Sequence, residues 1–190
     1  MLFLEGPALG MPRIGSGATL RVRQAGGGGE VPPGWSFTWF KDGVRLPAFQ
    51  GSILHLPAVK PGDAGVYSVR VGTLDRVEGP GPILLQPVDH LRLVASLEDD
   101  GPGTLREAMD SLAGLDGIGG IAFHLGERAG SPIIRLERPL PPIRGHLRIL
   151  GPGDRTLVLS GEGRIRPLFV KGGHLVLARL TVAGGRAQGG

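Results

Sequence analysis

The stretch Leu97-Glu98-Asp99-Asp100-Gly101-Pro102-Gly103-Thr104-Leu105-Arg106-Glu107-Ala108-Met109 decides how the second half of the chain folds. Thr104 and Glu107 form a Ser/Thr-x-x-Glu capping box, in which the hydroxyl accepts the Glu107 amide and the carboxylate is expected to accept the Thr104 amide. From there, apolar residues recur at helical spacing, at Leu105, Ala108, Met109 and Leu112. The stretch predicts a short amphipathic helix that ends near Gly114 or Gly117.

Beyond this helix, short apolar segments alternate with Gly, Pro or charged corners. They predict β-strands at residues 121–123, 133–136, 147–149, 157–159, 168–170, 175–177 and 180–182. Two segments share the sequence Gly-His-Leu, at Gly145-His146-Leu147 and at Gly173-His174-Leu175, and they begin 28 positions apart. Such an offset is typical of one coil of a stacked β-solenoid, whose open end must be covered. We therefore expect the helix to cap a parallel stack.

The cap, the Leu140-Pro141-Pro142-Ile143 corner and the Gly184-Gly185 strand end occur in the order seen at the start of a known fold. This half resembles right-handed parallel β-helix proteins of the pectin-lyase-like superfamily. It is similar to the Cys-Ser-Leu-Arg-Glu-Ala (CSLREA) region of bacterial surface proteins, including relatives of polymorphic outer membrane proteins, with Gly103-Thr104 in place of Cys-Ser. The resemblance implies an extracellular or outer-membrane location, and the few coils after the cap lead us to expect more in a longer product.

The first half has short alternating segments spaced as in a β-sandwich, at residues 18–23, 36–41, 52–56, 65–71 and 83–86. Trp39 lies in Trp-Phe-Lys-Asp-Gly, and residues 63–69 read Asp-Ala-Gly-Val-Tyr-Ser-Val. Both motifs resemble the immunoglobulin fold, with its strand-C tryptophan and its Asp-x-Gly-x-Tyr-x-Cys run. The resemblance implies that Val22 and Val69 occupy the two cysteine positions and that Tyr67 forms the tyrosine corner.

These patterns predict an all-β protein of two domains. The two resemblances imply that residues 1–88 form an immunoglobulin-like β-sandwich that lacks the intersheet disulfide, and that residues 89–190 form an N-terminal α-helical cap and the first coils of a short right-handed parallel β-helix. The Pro87-Val88-Asp89 linker between them is short, which implies limited hinge freedom.

Composition limits the partners of this 190-residue chain. It has no cysteine, which excludes disulfides and thiolate metal sites. No run approaches the roughly 20 apolar residues of a membrane span, and Met1-Leu2-Phe3-Leu4 lacks the features of a signal peptide. The net charge is +4, but the basic residues are scattered and few aromatics accompany them, so nucleic acid is not an expected partner.

The sequence assigns no catalytic, cofactor-binding or metal-ligating residue, because it contains no Walker loop, dinucleotide fingerprint, nucleophile elbow or zinc motif. His146 and His174 are expected to point outward as a solvated pair, with a metal or sugar contact as the alternative. Asp99 and Asp100 are expected to complement the helix dipole and accept turn amides, with calcium as the alternative. Three less constrained aromatics could anchor a partner on an exposed face: Trp35, Phe40 and Phe49.

The leading functional hypothesis is a noncatalytic secreted or cell-surface protein that serves adhesion, matrix or glycan contact, or display. Its partner would be a carbohydrate or a protein surface. The alternative is the N-terminal fragment of a polysaccharide lyase or glycoside hydrolase of the parallel β-helix type. A third possibility is a structural spacer. Enzyme activity is left open, although no catalytic signature favours it.

Overall fold

The computed structural model describes residues 1–26, 31, 33–72, 77–126, 131–153 and 156–187. Most of the glycine run at residues 26–29, which the sequence predicts to be flexible, lies outside them. The chain divides into two compact units, Met1–Pro87 and Val88–Gly190. Val88 belongs to the second unit, where it is buried against Gly120, and the Asp89 amide donates to the Ile118 carbonyl over 2.8 Å.

The first unit consists of two antiparallel sheets. Its strands are β1 (Leu2–Glu5), β2 (Ala18–Gln24), β3 (Ser36–Lys41), β4 (Val44–Arg45), β5 (Ile53–Leu56), β6 (Gly65–Gly72), β7 (Val77–Glu78) and β8 (Ile83–Leu85). One sheet has the order β1-β2-β5, and the other has the order β4-β3-β6-β7, with β8 also paired to β6. The sequence predicted the five longer segments but not β1, β4 or β7, which are too short or too irregular to show a clear alternation.

The two sheets bury their inner faces in one apolar cluster. It includes Val22 on β2 and Val69 on β6, which are 1% and 2% exposed, together with the fully buried Trp39 on β3. The Trp39 indole N–H donates to the Gly51 carbonyl over 2.8 Å, and this satisfies the one polar atom of the buried ring. Valines therefore lie buried at the two positions where the resemblance implies cysteines.

A tyrosine corner joins β6 to the turn before it. The Tyr67 hydroxyl donates to the Asp63 carbonyl over 3.0 Å, and Tyr67 lies two residues before Val69. On the other side of β3, Asp42 and Gly43 have φ angles of 50° and 80°, the left-handed pair that a two-residue type I′ hairpin requires. Paired sheets, buried tryptophan and tyrosine corner make the first unit an immunoglobulin-like β-sandwich.

The second unit consists of parallel strands and one helix. Its elements are β9 (His90–Val94), α1 (Leu105–Leu112), β10 (Ile118–Phe123), β11 (Ile133–Arg135), β12 (His146–Leu150), β13 (Leu157–Ser160), β14 (His174–Ala178) and β15 (Leu180–Ala183). One sheet has the order β9-β10-β12-β14 and the other β11-β13-β15, and every pairing in both is parallel. β9 is followed by α1, whereas each of β10, β12 and β14 is followed by a strand of the other sheet, and we call each such pair of strands a coil. His146 pairs with His174 at the 28-residue offset seen in the sequence.

The predicted strand at residues 168–170 is wrong. Only a single parallel bridge forms there, between Ile143 and Val170. The bridge is flanked by Pro142 on one chain segment and by Pro167 near the other, and proline has no N–H to donate to a ladder. The third side of each coil is therefore a corner with isolated hydrogen bonds, rather than a sheet.

Helix α1 has the predicted apolar stripe. Leu105, Ala108 and Met109 are buried in the same cluster as Ile121 of β10 and Ile149 of β12, and Leu112 packs against that cluster. The Thr104 hydroxyl accepts the Glu107 amide over 3.3 Å, as the capping box predicts. The predicted second half of the box is wrong, because the Glu107 carboxylate accepts the Gly103 amide over 2.5 Å instead of the Thr104 amide. Gly103 has a φ of 72°, a left-handed conformation that brings its amide to the first helical turn.

Candidate functional site

The paired histidines stand at equivalent positions on neighbouring coils. The rings of His146 and His174 are stacked, with centroids 5.1 Å apart and planes inclined by 7°, and both residues are exposed. This is the outward pair that strand alternation predicts. Within the described part of the chain, no group of three potential metal ligands comes together. The other histidines are separate: His55 bonds with the Thr19 hydroxyl, and His90 bonds with the Asp116 carbonyl, each over 3.0 Å.

The acidic pair before α1 is engaged by arginines. Asp99 accepts Arg106 over 2.6 Å, and Asp100 accepts Arg138 over 2.5 Å and the Gly101 amide over 2.9 Å. The hydrogen bond from Arg138, followed by that from Gly101, lowers the pKa of the Asp100 carboxyl. The expected turn-amide contact is present. Both carboxylates have their charge balanced by guanidinium groups that the sequence analysis did not connect to them.

Arg106 is the main polar residue that the sequence analysis missed. Its side chain is 3% exposed, and its guanidinium donates to the Asp99 and Arg138 carbonyls, to the Pro139 carbonyl over 2.8 Å and to the Asp99 carboxylate. The position lies off the apolar stripe of α1, so helical periodicity predicts exposure. The residue links the loop before the helix to the corner before Leu140, and its role is structural.

The three aromatics considered as partner anchors have different surroundings. Trp35 and Phe49 are half-buried and pack against the core cluster of the first unit. Phe40 is half-buried on β3, and the Arg70 guanidinium carbon lies 5.1 Å from its ring centroid. Two of the three are thus packed against the sandwich instead of standing free on its surface.

An apolar cleft lies between the end of α1 and the corner that leads into β12. Its volume is ≈ 300 Å³, at the lower end of the range for small-ligand sites. Met109, Leu112 and Leu147 supply apolar lining, and the polar lining includes Asp110, Arg144 and His146.

A second depression, on the third side of the coils, has a different character. We call it the cationic groove. Its volume is ≈ 490 Å³, and its lining contains five cationic side chains and no acidic one: Arg144, Arg164, Arg166, Lys171 and Arg186. Leu140, Ile165 and Phe169 supply apolar lining. All five cationic residues are exposed, so each keeps its hydration while it faces the groove.

Backbone hydrogen bonds hold the cationic residues in place. The Lys171 amide donates to the Ile143 carbonyl over 2.8 Å, and the Ile143 amide donates to Phe169 over 2.9 Å. The Arg164 amide donates to Gly161 over 3.0 Å, and the Arg186 amide donates to Ile165 over 3.0 Å. Each cationic residue is therefore part of, or next to, a hydrogen-bonded corner. The groove has a defined backbone although its side chains are exposed.

The groove is not evident in the sequence, because its cationic residues are spread from residue 144 to residue 186. Scattered arginines along the chain suggested no patch. The 28-residue coil offset places Arg144 opposite Gly172, one position from Lys171, so it gives only an approximate signal for this pair. The remaining three lie on turns whose position depends on how the coils stack.

No protein-family model matches the chain, and no curated protein gives a match. Among solved structures, similarity is found to the second Ig-C2 domain of human Fc-receptor like A, at 19% identity over 45% of this chain and 94% of that one, with a TM-score of 0.37. Three N-terminal domains of the bacteriophage RB49 Highly Immunogenic Outer Capsid protein match at 20% identity over 50% of this chain and 34% of that one, with a TM-score of 0.41. Murine CEACAM1b matches at 18% identity over 46% and 44%, with a TM-score of 0.38.

The chain thus spans about a third and somewhat under half of the length of the last two structures. The immunoglobulin-like character of the first unit rests on its own geometry, on Trp39, Tyr67 and the two antiparallel sheets. None of these similarities concerns a parallel β-helix, so the pectin-lyase-like and CSLREA relationship of the second unit stays a prediction.

Proposed function

We propose that this chain is a noncatalytic secreted or cell-surface protein, in which an immunoglobulin-like module precedes the cap and first coils of a right-handed parallel β-helix. The stack of parallel strands presents its outer side to a carbohydrate or a protein surface. The parallel pairing of β9, β10, β12 and β14 and the burial of α1 over them support this architecture. An extracellular or outer-membrane location is part of the proposal and comes from the resemblance.

The in-register stacking of outward side chains carries the proposal. His146 and His174 show it directly, because their rings lie 5.1 Å apart on consecutive coils. Parallel strands repeat at about 4.8 Å, so any outward position recurs at that spacing along the stack. A surface with regular spacing suits an extended ligand with repeated groups, such as a polysaccharide.

The described residues include no helix that is both long and apolar enough to cross a membrane. We propose that the protein contacts its partner through the second unit. Display of another segment by the stack, without any ligand of its own, is the simpler variant of the same proposal.

A glycan array probed with the intact chain tests this function, alongside an assay for unsaturated-sugar release from polygalacturonate. We expect binding without product release. The control is Met109→Asp, which places a charge in the core beneath α1 and should abolish binding if the folded stack provides the contact. Product release would favour the polysaccharide lyase alternative, and binding that survives loss of the stack would contradict the role of the second unit.

A further inference from the structure

We infer that the cationic groove binds an anionic polysaccharide, through carboxylate or sulfate groups carried by successive sugars. The inference rests on the proposed function and adds the ligand class. The groove supplies four guanidinium groups and one ammonium group, and all five are positively charged. Guanidinium groups pair with carboxylate and sulfate oxygens in a bidentate geometry that also gives specificity.

The charge of the groove is not balanced from within the described chain. The ion pairs of the second unit use other arginines, namely Arg106 with Asp99, Arg135 with Glu162 and Arg138 with Asp100. No carboxylate of the described residues pairs with any of the five groove cations. Gathering like charges costs electrostatic free energy, and an anionic ligand that neutralises them recovers it.

The spacing of the cations follows the coils. Ile143 and Val170 form a parallel bridge, so Arg144 and Lys171, the next residue on each segment, lie side by side on adjacent coils. Neighbouring parallel segments are about 4.8 Å apart. Arg144 and Lys171 thus place two positive charges on adjacent coils, which matches a polymer with a repeated negative charge better than a single small anion.

The environment of Phe169 bears on whether the groove suits a polysaccharide or a nucleic acid. The guanidinium carbon of Arg166 lies 4.3 Å from the Phe169 ring centroid, which is a cation–π contact within the groove. The same contact covers the aromatic face. Proteins that bind single-stranded nucleic acid without sequence preference stack the bases on free aromatic faces. Phe169 is the aromatic residue in the groove lining, and Arg166 covers a face of its ring. This favours a polysaccharide over nucleic acid.

The size of the groove agrees with a short segment of a polysaccharide. At ≈ 490 Å³ it lies within the range of about 300–1,000 Å³ for small-ligand sites, which is room for a few sugar units and not for a duplex. Longer ligands would extend past the groove along the outer side of the stack.

The test measures binding of the full chain to four probes: heparin for sulfate, polygalacturonate for carboxylate, dextran as a neutral polysaccharide and a duplex DNA. Two groove variants are compared with the native chain, Arg164→Gln/Lys171→Gln and Arg144→Gln/Arg186→Gln. The control is Arg45→Gln/Arg70→Gln, which removes the same charge from exposed positions of the first unit. Thermal melting of each variant verifies that it remains folded. If one groove variant does not fold, the other still tests the inference.

We expect heparin, polygalacturonate or both to bind, and each groove pair to weaken that binding about tenfold or more, or about 1.4 kcal/mol, while the control changes it little. Which of the two probes binds identifies sulfate or carboxylate as the ligand group. Equal effects of the groove and control pairs would overturn the inference, as would DNA binding as tight as either acidic polysaccharide. Binding of dextran alone would overturn the inference but leave the proposed glycan contact standing. Failure of the native chain to bind any polysaccharide here or on the array would contradict both.

Discussion

The Arg106 guanidinium donates to the Asp99 carboxylate over 2.6 Å, and the two side chains are only 3% and 8% exposed. Three backbone carbonyls accept three further guanidinium hydrogens, so four of the five N–H donors of the buried charge are hydrogen-bonded. This ion pair joins the loop before α1, the helix itself and the corner before Leu140. It explains how a short helix with few buried residues is held over the end of the stack.

Replacing Arg106 tests that role. We expect Arg106→Ala to lower the free energy of unfolding of the second unit by about 3–5 kcal/mol, because it leaves the Asp99 carboxylate buried without a partner. Denaturant titration followed by circular dichroism measures the change. The matched control is Arg135→Ala, whose partner Glu162 lies 3.7 Å away in a largely exposed pair and which should cost at most about 1 kcal/mol. Equal losses in the two variants would show that burial of the Asp99 pair is unimportant.

Val22 tests the immunoglobulin-like core. Val22→Ser should destabilise the first unit by about 1–3 kcal/mol, because a hydroxyl at a position 1% exposed loses apolar contacts and needs a partner. Val44 is 69% exposed, so Val44→Ser should change stability by no more than about 0.5 kcal/mol. An unchanged melting curve for Val22→Ser would contradict the placement of Val22 in the core between the sheets.

Met109 tests the function of α1 as a cap. Met109 is 5% exposed in the core of the second unit, and Met109→Asp should melt part of that unit or cause aggregation, because it buries a charge without a partner. Ser111→Asp places the same charge on an exposed position of the same helix and should be tolerated. Hydrogen exchange of β9 and β10 locates the effect, and a Met109→Asp protein as stable as the native one would contradict the capping role.

The raised pKa of Tyr67 makes the stability of the first unit depend on pH in the alkaline range. Burial, followed by the nearby Asp63 and Asp42 carboxylates, raises the pKa of Tyr67 from its ordinary value of 10.0 to about 12. The folded state therefore keeps its proton when the unfolded chain has lost it, so stability is fully present below pH 10 and falls as the pH rises toward 12.

Tyr67 is the one tyrosine in the sequence, so the ultraviolet absorbance of phenolate reports it alone. We expect its transition well above pH 10 in the folded protein and near pH 10 in denaturant. Tyr67→Phe should cost about 1 kcal/mol at neutral pH through loss of the bond to Asp63, and it should remove this component of the alkaline decline. A folded-state transition near pH 10 would contradict the buried tyrosine corner.

Local patterns along the chain were sufficient for most of the elements. The alternation in residues 36–41 predicted β3, the spacing of Leu105, Ala108 and Met109 predicted the buried stripe of α1, and the repeat at His146 and His174 predicted their pairing. These features depend on period and on neighbouring residues, which a sequence displays directly. A strand also requires a partner segment with which to pair. At residues 168–170 the local pattern predicted a strand, but only a single bridge to Ile143 forms there.

The strand and helix periods, the capping hydroxyl of Thr104 and the absence of any disulfide can be read directly from the residues. The burial of Arg106, the contact of Glu107 with Gly103 and the gathering of five cations between residues 144 and 186 around one groove depend on tertiary contacts. The difference lies in the distance along the chain over which each interaction acts. Backbone preferences and hydrophobic period act over a few residues, whereas the electrostatic surroundings of a charged side chain are set by the coils that stacking brings beside it.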